Sequence, residues 1–323
     1  MVTASISVSS LILKCQDEMS CNNNERLSLS AEISIVFFGL GEKAYRSISL
    51  FLERHGSSPV AAVVAARDSG TEEDCYEQLK DLCKKNNISF YDKSHVPVFD
   101  AKAIRLAIGW RWMLDDHNLI VFHDSLLPKY RGFAPLVNAL INGEREIGVT
   151  ALHASKAYDA GPVIFQERIS IDYPIKIKDA IYRVSIAYAS LVSDVYTSLI
   201  SGKALPSIDQ DVAQVSFSLW RDEQDYFLPW EESSETLKRF CDAVGFPYGG
   251  ARCRLNGETL LVHDVEVVPD VNVEMRRRHL GKVIFFEEGC PIVVCGRGLL
   301  KITDYAFADG RPNRSIPFRS RFS

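Results

Sequence analysis

His123 ends an apolar run, Leu119-Ile-Val-Phe-His123, and is followed by Asp124, Ser125 and Leu126-Leu-Pro128. A histidine delivered by a strand end can donate a hydrogen bond to an oxyanion or move a proton. A carboxylate within reach can hold the ring and relay that proton. Asp159, two residues ahead of Gly161, is the first candidate for such a partner. Asp124 is the second, because alternation along a strand aims it away from the face that carries His123. Each residue also has a plainer role open to it. A strand-end histidine can serve structure alone, and an aspartate before a glycine can simply close a turn.

A parallel sheet is what would put His123 at a ligand site, and the rest of the chain is patterned for one. Ile33-Ser-Ile-Val-Phe-Phe38, Val60-Ala-Ala-Val-Val64, Ile88-Ser-Phe-Tyr91, Leu106-Ala-Ile-Gly-Trp110 and the run ending at His123 read as buried strands. Helical patterns alternate with them, which predicts an α/β fold with a doubly wound, mostly parallel sheet. Open sheets of this kind bind ligands beyond the carboxyl ends of their strands. Gly39-Leu-Gly41 reads as a tight turn into a helix. A dinucleotide fingerprint, the second reading, finds alanine at 44 and no convincing acidic partner. A long amphipathic helix spans 175–200, with Ile177, Ile181, Val184, Tyr188, Leu191, Val195 and Leu199 at helical spacing. Beyond Pro206 comes a short helix at 235–244. Strands follow, including a hairpin about Asn256-Gly257, which predicts a small β-barrel. The expected organisation is a polar extension over 1–31, a main domain over 32–205 and a mostly-β domain over 206–323.

Bulk properties narrow the partners. The 323 residues carry a formal net charge of −5, with 46% hydrophobic and 24% charged residues. This is the make-up of a soluble globular protein and disfavours a nucleic-acid partner, which needs a basic face. The eight cysteines, at 15, 21, 75, 83, 241, 253, 290 and 295, include no CxxC pair and no zinc spacing. They read as reduced thiols of a cytoplasmic protein, with no metal expected. No apolar run approaches the roughly 20 residues that span a bilayer.

The segment Phe122-His-Asp-Ser-Leu-Leu-Pro-Lys-Tyr-Arg-Gly-Phe-Ala-Pro135, continued by Gly148-Val-Thr150 and Tyr158-Asp-Ala-Gly161, closely resembles the folate-dependent formyltransferase family. Asp225-Tyr-Phe-Leu-Pro-Trp230, Phe246-Pro-Tyr-Gly-Gly-Ala251 and Gly281-Lys-Val-Ile284 resemble the C-terminal domain of its methionyl-tRNA and amino-sugar branches. The resemblance covers roughly 32–308 and implies a Rossmann-like catalytic domain with an OB-like C-terminal domain. It implies transfer of a formyl group from 10-formyltetrahydrofolate to a primary amine. His123 would stabilise the oxyanion and Asp159 would hold the histidine. The pterin would lie against the loop Trp110, Trp112, Met113 and Leu114 and the loop ending at Tyr158. Ser125, Leu126, Leu127 and Pro128 would close over the reacting end. Two tryptophans in such a loop suit a flat heterocycle or plain core packing equally.

One position departs from the family. Its pattern has asparagine two residues before the histidine, as a second oxyanion donor, and here Val121 stands there. Loss of one such donor costs on the order of a hundredfold in comparable sites. Another donor, a slow enzyme or a non-catalytic folate- or partner-binding module would each account for the valine. Asn118 has the wrong spacing to replace it.

For the acceptor, residues 206–323 hold 15 Lys and Arg against 18 Asp and Glu, a net of −3. The loop Asp68-Ser-Gly-Thr-Glu-Glu-Asp74 is repulsive to phosphate, which argues against methionyl-tRNA. Arg276-Arg-Arg278 reads as a solvated turn. A nucleotide-linked amino sugar, as used in surface polysaccharide synthesis, is the expected acceptor, with Lys129 and Arg131 as candidate cations for its diphosphate. A homodimer is compatible with this reading.

Overall fold

The computed structural model describes residues 33–114, 118–311 and 314–323. The polar extension expected over 1–31, with Cys15 and Cys21, lies outside the described residues. A seven-stranded sheet organises the first part of the chain. Its strands are β1 (Ile35–Gly39), β2 (Val60–Ala65), β3 (Ser89–Asp92), β4 (Ile104–Ile108), β5 (Leu119–His123), β7 (Glu146–His153) and β8 (Val163–Ser170), in the order β3-β2-β1-β4-β5-β7-β8. The first five are parallel, while β7 and β8 add an antiparallel edge. The intervening β6 (Arg131–Gly132) belongs to a separate two-stranded ribbon.

The apolar runs of the parallel strands are continuous because both faces are covered. In β1, Ile35 and Phe37 join the core formed with helices α1 (Gly41–His55) and α4 (Ile177–Ile200), whereas Val36 and Phe38 pack on the other face with Trp110 and Val121. The intervening helices are α2 (Tyr76–Lys85) and α3 (Pro135–Ile141). Helix α1 presents Ala44, Ile48, Phe51 and Leu52 inward. A Cβ on Gly39 would lie 2.7 Å from that of Ala44, so strand and helix pack in close contact at this turn.

The second unit holds helix α5 (Ser234–Val244), whose first turn is capped by Ser233 Oγ accepting from Thr236 N at 3.1 Å. It packs on an antiparallel sheet of β10 (Ala251–Leu255), β11 (Glu258–Val268), β12 (Val283–Glu287), β13 (Cys290–Val294) and β14 (Leu299–Phe307), in the order β10-β11-β14-β13-β12. The Asn256-Gly257 hairpin forms as expected, both residues at positive φ. The arginine-rich tail has a structural task. Phe322 bridges Leu255 of β10 and Arg321 bridges Lys282 just before β12, so the tail links the two edges of the sheet. Phe322 is 1% exposed and stacks on Trp230 at 5.8 Å.

The stretch 206–218, grouped by sequence with the second unit, packs on the first. Ile208 bridges Val163, and β9 (Phe217–Ser218) pairs in parallel with β6. Among the described residues, no helix is long and apolar enough to cross a membrane, and Cys75, Cys83, Cys241, Cys253, Cys290 and Cys295 are free thiols.

Candidate active site

Strand β5 delivers His123 to the carboxyl edge of the sheet, where the ring is held from two sides. Its Nε2 lies 2.8 Å from the Tyr130 carbonyl oxygen, and its Nδ1 lies 3.5 Å from Asp159 Oδ1. A carbonyl oxygen can only accept, so Nε2 carries hydrogen by assignment from its partner. Nδ1 is then the ring nitrogen that faces the Asp159 carboxylate. Asp159 spends its other oxygen on the Gly132 N–H, at 2.8 Å. Both side chains are largely buried, 8% and 14% exposed.

The backbone around this pair is strained. Tyr130, Ala134 and Asp159 adopt φ of 59°, 47° and 51°, in the left-handed region that costs side-chain-bearing residues about 1–3 kcal/mol each. Such conformations persist where surrounding bonds over-determine them, and here the linker supplies those bonds. Tyr130 N donates to Ser216 Oγ at 2.9 Å, Arg131 N to Ser216 O at 2.9 Å and Phe133 N to Ser218 O at 3.0 Å. Gly132, at φ 101°, sits so close that a Cβ would lie 2.6 Å from Ser218 O.

A cavity of about 470 Å³ opens beside the pair. Trp110 to Leu114, together with Ser155, Ala157 and Tyr158, form part of its wall, as does Val121. The Trp110 and Trp112 rings meet edge to face at 4.9 Å, and the Trp110 indole N–H is buried without a partner among the described residues. The second unit contributes Tyr226, Pro247 and Tyr248 to the same wall.

Several expected site residues lie elsewhere. Ser125, Leu126, Leu127 and Pro128 are not in the cavity wall; their loop is tied down instead. Ser125 Oγ donates to Lys129 O, Thr150 Oγ1 donates to Ser125 O, both at 2.7 Å, and Gln166 Nε2 donates to Leu127 O at 2.7 Å. This explains the threonine of Gly148-Val-Thr150. Lys129 is exposed and outside the wall. Arg131 corrects the expectation of a free cation: it is 9% exposed, and its Nε and Nη2 donate to Gln210 Oε1 at 3.0 and 2.8 Å. Asn118 donates to Ala101 O at 2.8 Å.

A second polar cluster shares the cavity. Lys43 of α1 forms an ion pair with Asp124, which also accepts from the buried Tyr188 hydroxyl. Burial opposes charge on Lys43, but the Asp124 carboxylate prevails and holds its pKa above the usual lysine value. Burial also opposes charge on Asp124, yet Lys43 and then His123 hold it below the usual carboxylate value. Burial, followed by the Asp124 charge, pushes the Tyr188 phenol well up. Asp124 therefore does reach the cavity, with its charge already matched. Positions 43, 124 and 188 have no shared sequence motif, and their partnership is visible only in three dimensions.

Known proteins resemble this chain at both levels. Residues 114–189 match the family model for formyl transferase, and residues 221–315 match that for the formyl transferase C-terminal domain. The methionyl-tRNA formyltransferase of Syntrophomonas wolfei is 28% identical over 188 residues, and that of Geobacter metallireducens is 30% identical over 189. Each match covers 58% of this chain and 58% of the relative's length. The N-formyltransferase from Helicobacter canadensis, solved with folinic acid and dTDP-3-aminofucose, superposes at TM-score 0.63 with 17% identity, over 84% of this chain and 98% of that one. A sugar 3N-formyl transferase solved with dTDP and 5-N-formyl-THF gives TM-score 0.61 at 17% identity, over 86% and 98%. At these identities, the structures establish a shared fold.

Proposed function

Because the chain belongs to the formyl transferase family, we propose that it moves a formyl group from 10-formyltetrahydrofolate to a primary amine beside His123 and Asp159. The observation that carries this reading is the His123–Asp159 pair at the carboxyl end of β5, bordering a cavity walled by an aromatic loop. Bound folate supplies a formyl carbon open to attack by an amine. The cavity suits its pterin: Trp110 and Trp112 stand in the wall, and the Trp110 N–H, buried without a partner among the described residues, offers a donor that burial makes costly to leave unmet. The residues from Trp110 to Leu114 and from Ser155 to Tyr158 would hold it. His123 does the proton work at Nδ1, since Nε2 is committed to Tyr130 O. Nδ1 faces the Asp159 carboxylate, so the two together are placed to take up the proton that the attacking amine sheds.

The acceptor we favour is a nucleotide-linked amino sugar. Asp68 and Glu73 lie in the cavity wall, and residues 206–323 carry 18 acidic against 15 basic residues, a poor surface for a polyanionic tRNA. With Lys129 and Arg131 outside the wall, the Lys and Arg residues within it are Lys43, paired with Asp124, Arg111, paired with Asp68, and Arg221. The identity to methionyl-tRNA formyltransferases favours charged tRNA as the second reading. A mass-shift assay with 10-formyltetrahydrofolate separates them, using dTDP-, GDP- and UDP-linked amino sugars beside charged initiator tRNA. We expect formylation of an amino sugar, abolished by His123→Ala. Turnover confined to the tRNA overturns the acceptor assignment, and no turnover with any amine overturns the reaction.

A further inference from the structure

The linker between the two units carries one side chain that binds both strained turns of the site at once. Gln210 Nε2 donates to the carbonyl oxygen of Asp159 at 2.8 Å and to that of Gly161 at 2.7 Å. Its Oε1 accepts from Arg131 Nε at 3.0 Å and Nη2 at 2.8 Å. All four bonds come from one primary amide, which uses its two donor hydrogens and both acceptor lone pairs. On one side lies the turn whose carboxylate faces His123. On the other lies the turn that supplies Tyr130 O to His123 Nε2 and Gly132 N to Asp159 Oδ2. The amide therefore closes a ring of contacts running Gln210, Asp159, Gly132, Arg131 and back.

We propose that Gln210 is the positioning residue of this site: its amide locks the Asp159 turn against the Arg131–Gly132 turn and so sets the carboxylate at its distance from His123 Nδ1. Asp159 stands at φ 51°, a conformation its neighbours must enforce, and a Cβ on Gly161 would lie 1.8 Å from His153 O, so the turn has no slack on its far side. Gln210 itself is anchored independently of the turn. Two residues earlier, Ile208 pairs with Val163 of β8, and His153 Nε2 contacts Pro206 O at 3.0 Å. The linker thus transmits the position of the sheet edge to the reacting carboxylate. Residues 206–218 then act as part of the active site, although they precede the second unit and supply no reacting group.

The proposal rests on the formyl-transfer reading, and Gln210→Glu tests it with one half of the clamp kept. Glutamate still accepts from Arg131, and as an ion pair, but it offers oxygen where the amide offered N–H to Asp159 O and Gly161 O. We expect a folded protein with kcat reduced about ten- to hundredfold, the KM for the amine nearly unchanged and an altered pH profile of kcat. We expect Gln210→Ala to lose activity and stability together, since Arg131 then lacks its acceptor. A purely structural role would lower the active fraction while leaving KM and the pH profile as they were. That result, or wild-type kcat in Gln210→Glu, overturns the proposal. A readout independent of turnover is the 15N resonance of His123 Nδ1, which we expect to differ between wild type and Gln210→Glu. Absence of turnover in the wild type would sink the reaction assignment, and an unmoved Nδ1 resonance would sink the clamp, so the two failures are distinguishable.

Discussion

At the scale of the residue, the site is a compromise between what its motif supplies and what Val121 withholds. His123 and Asp159 meet at 3.5 Å, but the strand position that faces the same way as His123 carries an aliphatic side chain in the cavity wall. Valine has no donor, and an oxyanion donor in such a site is worth on the order of a hundredfold or more in kcat. Val121→Asn should therefore raise kcat for formyl transfer about tenfold or more, with the folate KM little changed, in steady-state assays. An unchanged kcat would mean that another group already serves the oxyanion. The Trp110 indole N–H, buried without a partner in the same wall, is the first to examine by substitution. Val121 and His123 stand in one short run and Asp159 in a later block of the same ordered pattern, so all three could be proposed from the sequence. Arg131 was misread for a physical reason: nothing in its local sequence announces that Gln210, 79 residues away, takes up its guanidinium.

At the scale of the element, α1 and α4 both serve the site from behind. Lys43 in the first turn of α1 and Tyr188 in the middle of α4 converge on Asp124, one residue past β5. The ion pair has side chains 18% and 12% exposed, so removing one partner leaves a charge in a poorly solvated place. Asp124→Asn should lower stability at neutral pH by about 3–5 kcal/mol, as judged by urea unfolding. The pH dependence follows from the two shifts. Asp124 is held below its ordinary value, so its contribution is present above about pH 4 and is lost as pH falls through the folded-state pKa. Lys43 is held above its ordinary value, so its contribution is present below about pH 10 and is lost as pH rises past the folded-state pKa. The gap between wild type and Asp124→Asn should be widest near neutrality and narrow toward both extremes. A gap independent of pH would show that packing, not charge, is what the substitution removes. Strands β1 to β5 and α4 were readable from apolar runs and helical spacing. Strands β7 and β8 were not, because polar residues interrupt them at Thr150, Gln166 and Glu167 and hide the pattern.

At the scale of the whole molecule, the chain is joined in two places that its composition does not advertise. Residues 206–218 lie across the turns that hold His123 and Asp159, and the tail ties the edges of the second sheet together. Phe322→Ala should cost about 3–5 kcal/mol in the second unit, because this ring is 1% exposed and stacked on Trp230. Thermal unfolding followed by tryptophan fluorescence would register it, and a loss under 1 kcal/mol would mean that the tail is dispensable for that fold. The cavity itself spans both units, since Tyr226, Pro247 and Tyr248 stand in its wall beside residues of the first sheet.

Motif order and strand periodicity pointed from sequence alone to the formyl transferase fold, to His123 and Asp159 as its proposed site, and to Val121 where the family pattern has asparagine. These are local properties, carried by residues close together in the chain or by regular spacing. The tertiary structure decided which polar groups are already spent. It placed Arg131 on Gln210, Asp124 on Lys43 and Tyr188, Tyr130 O on His123 Nε2, and Asp159 opposite His123 Nδ1. The physical reason is that a hydrogen bond between distant positions leaves no periodicity and no spacing in the sequence; it exists only once the chain has brought donor and acceptor within about 3 Å.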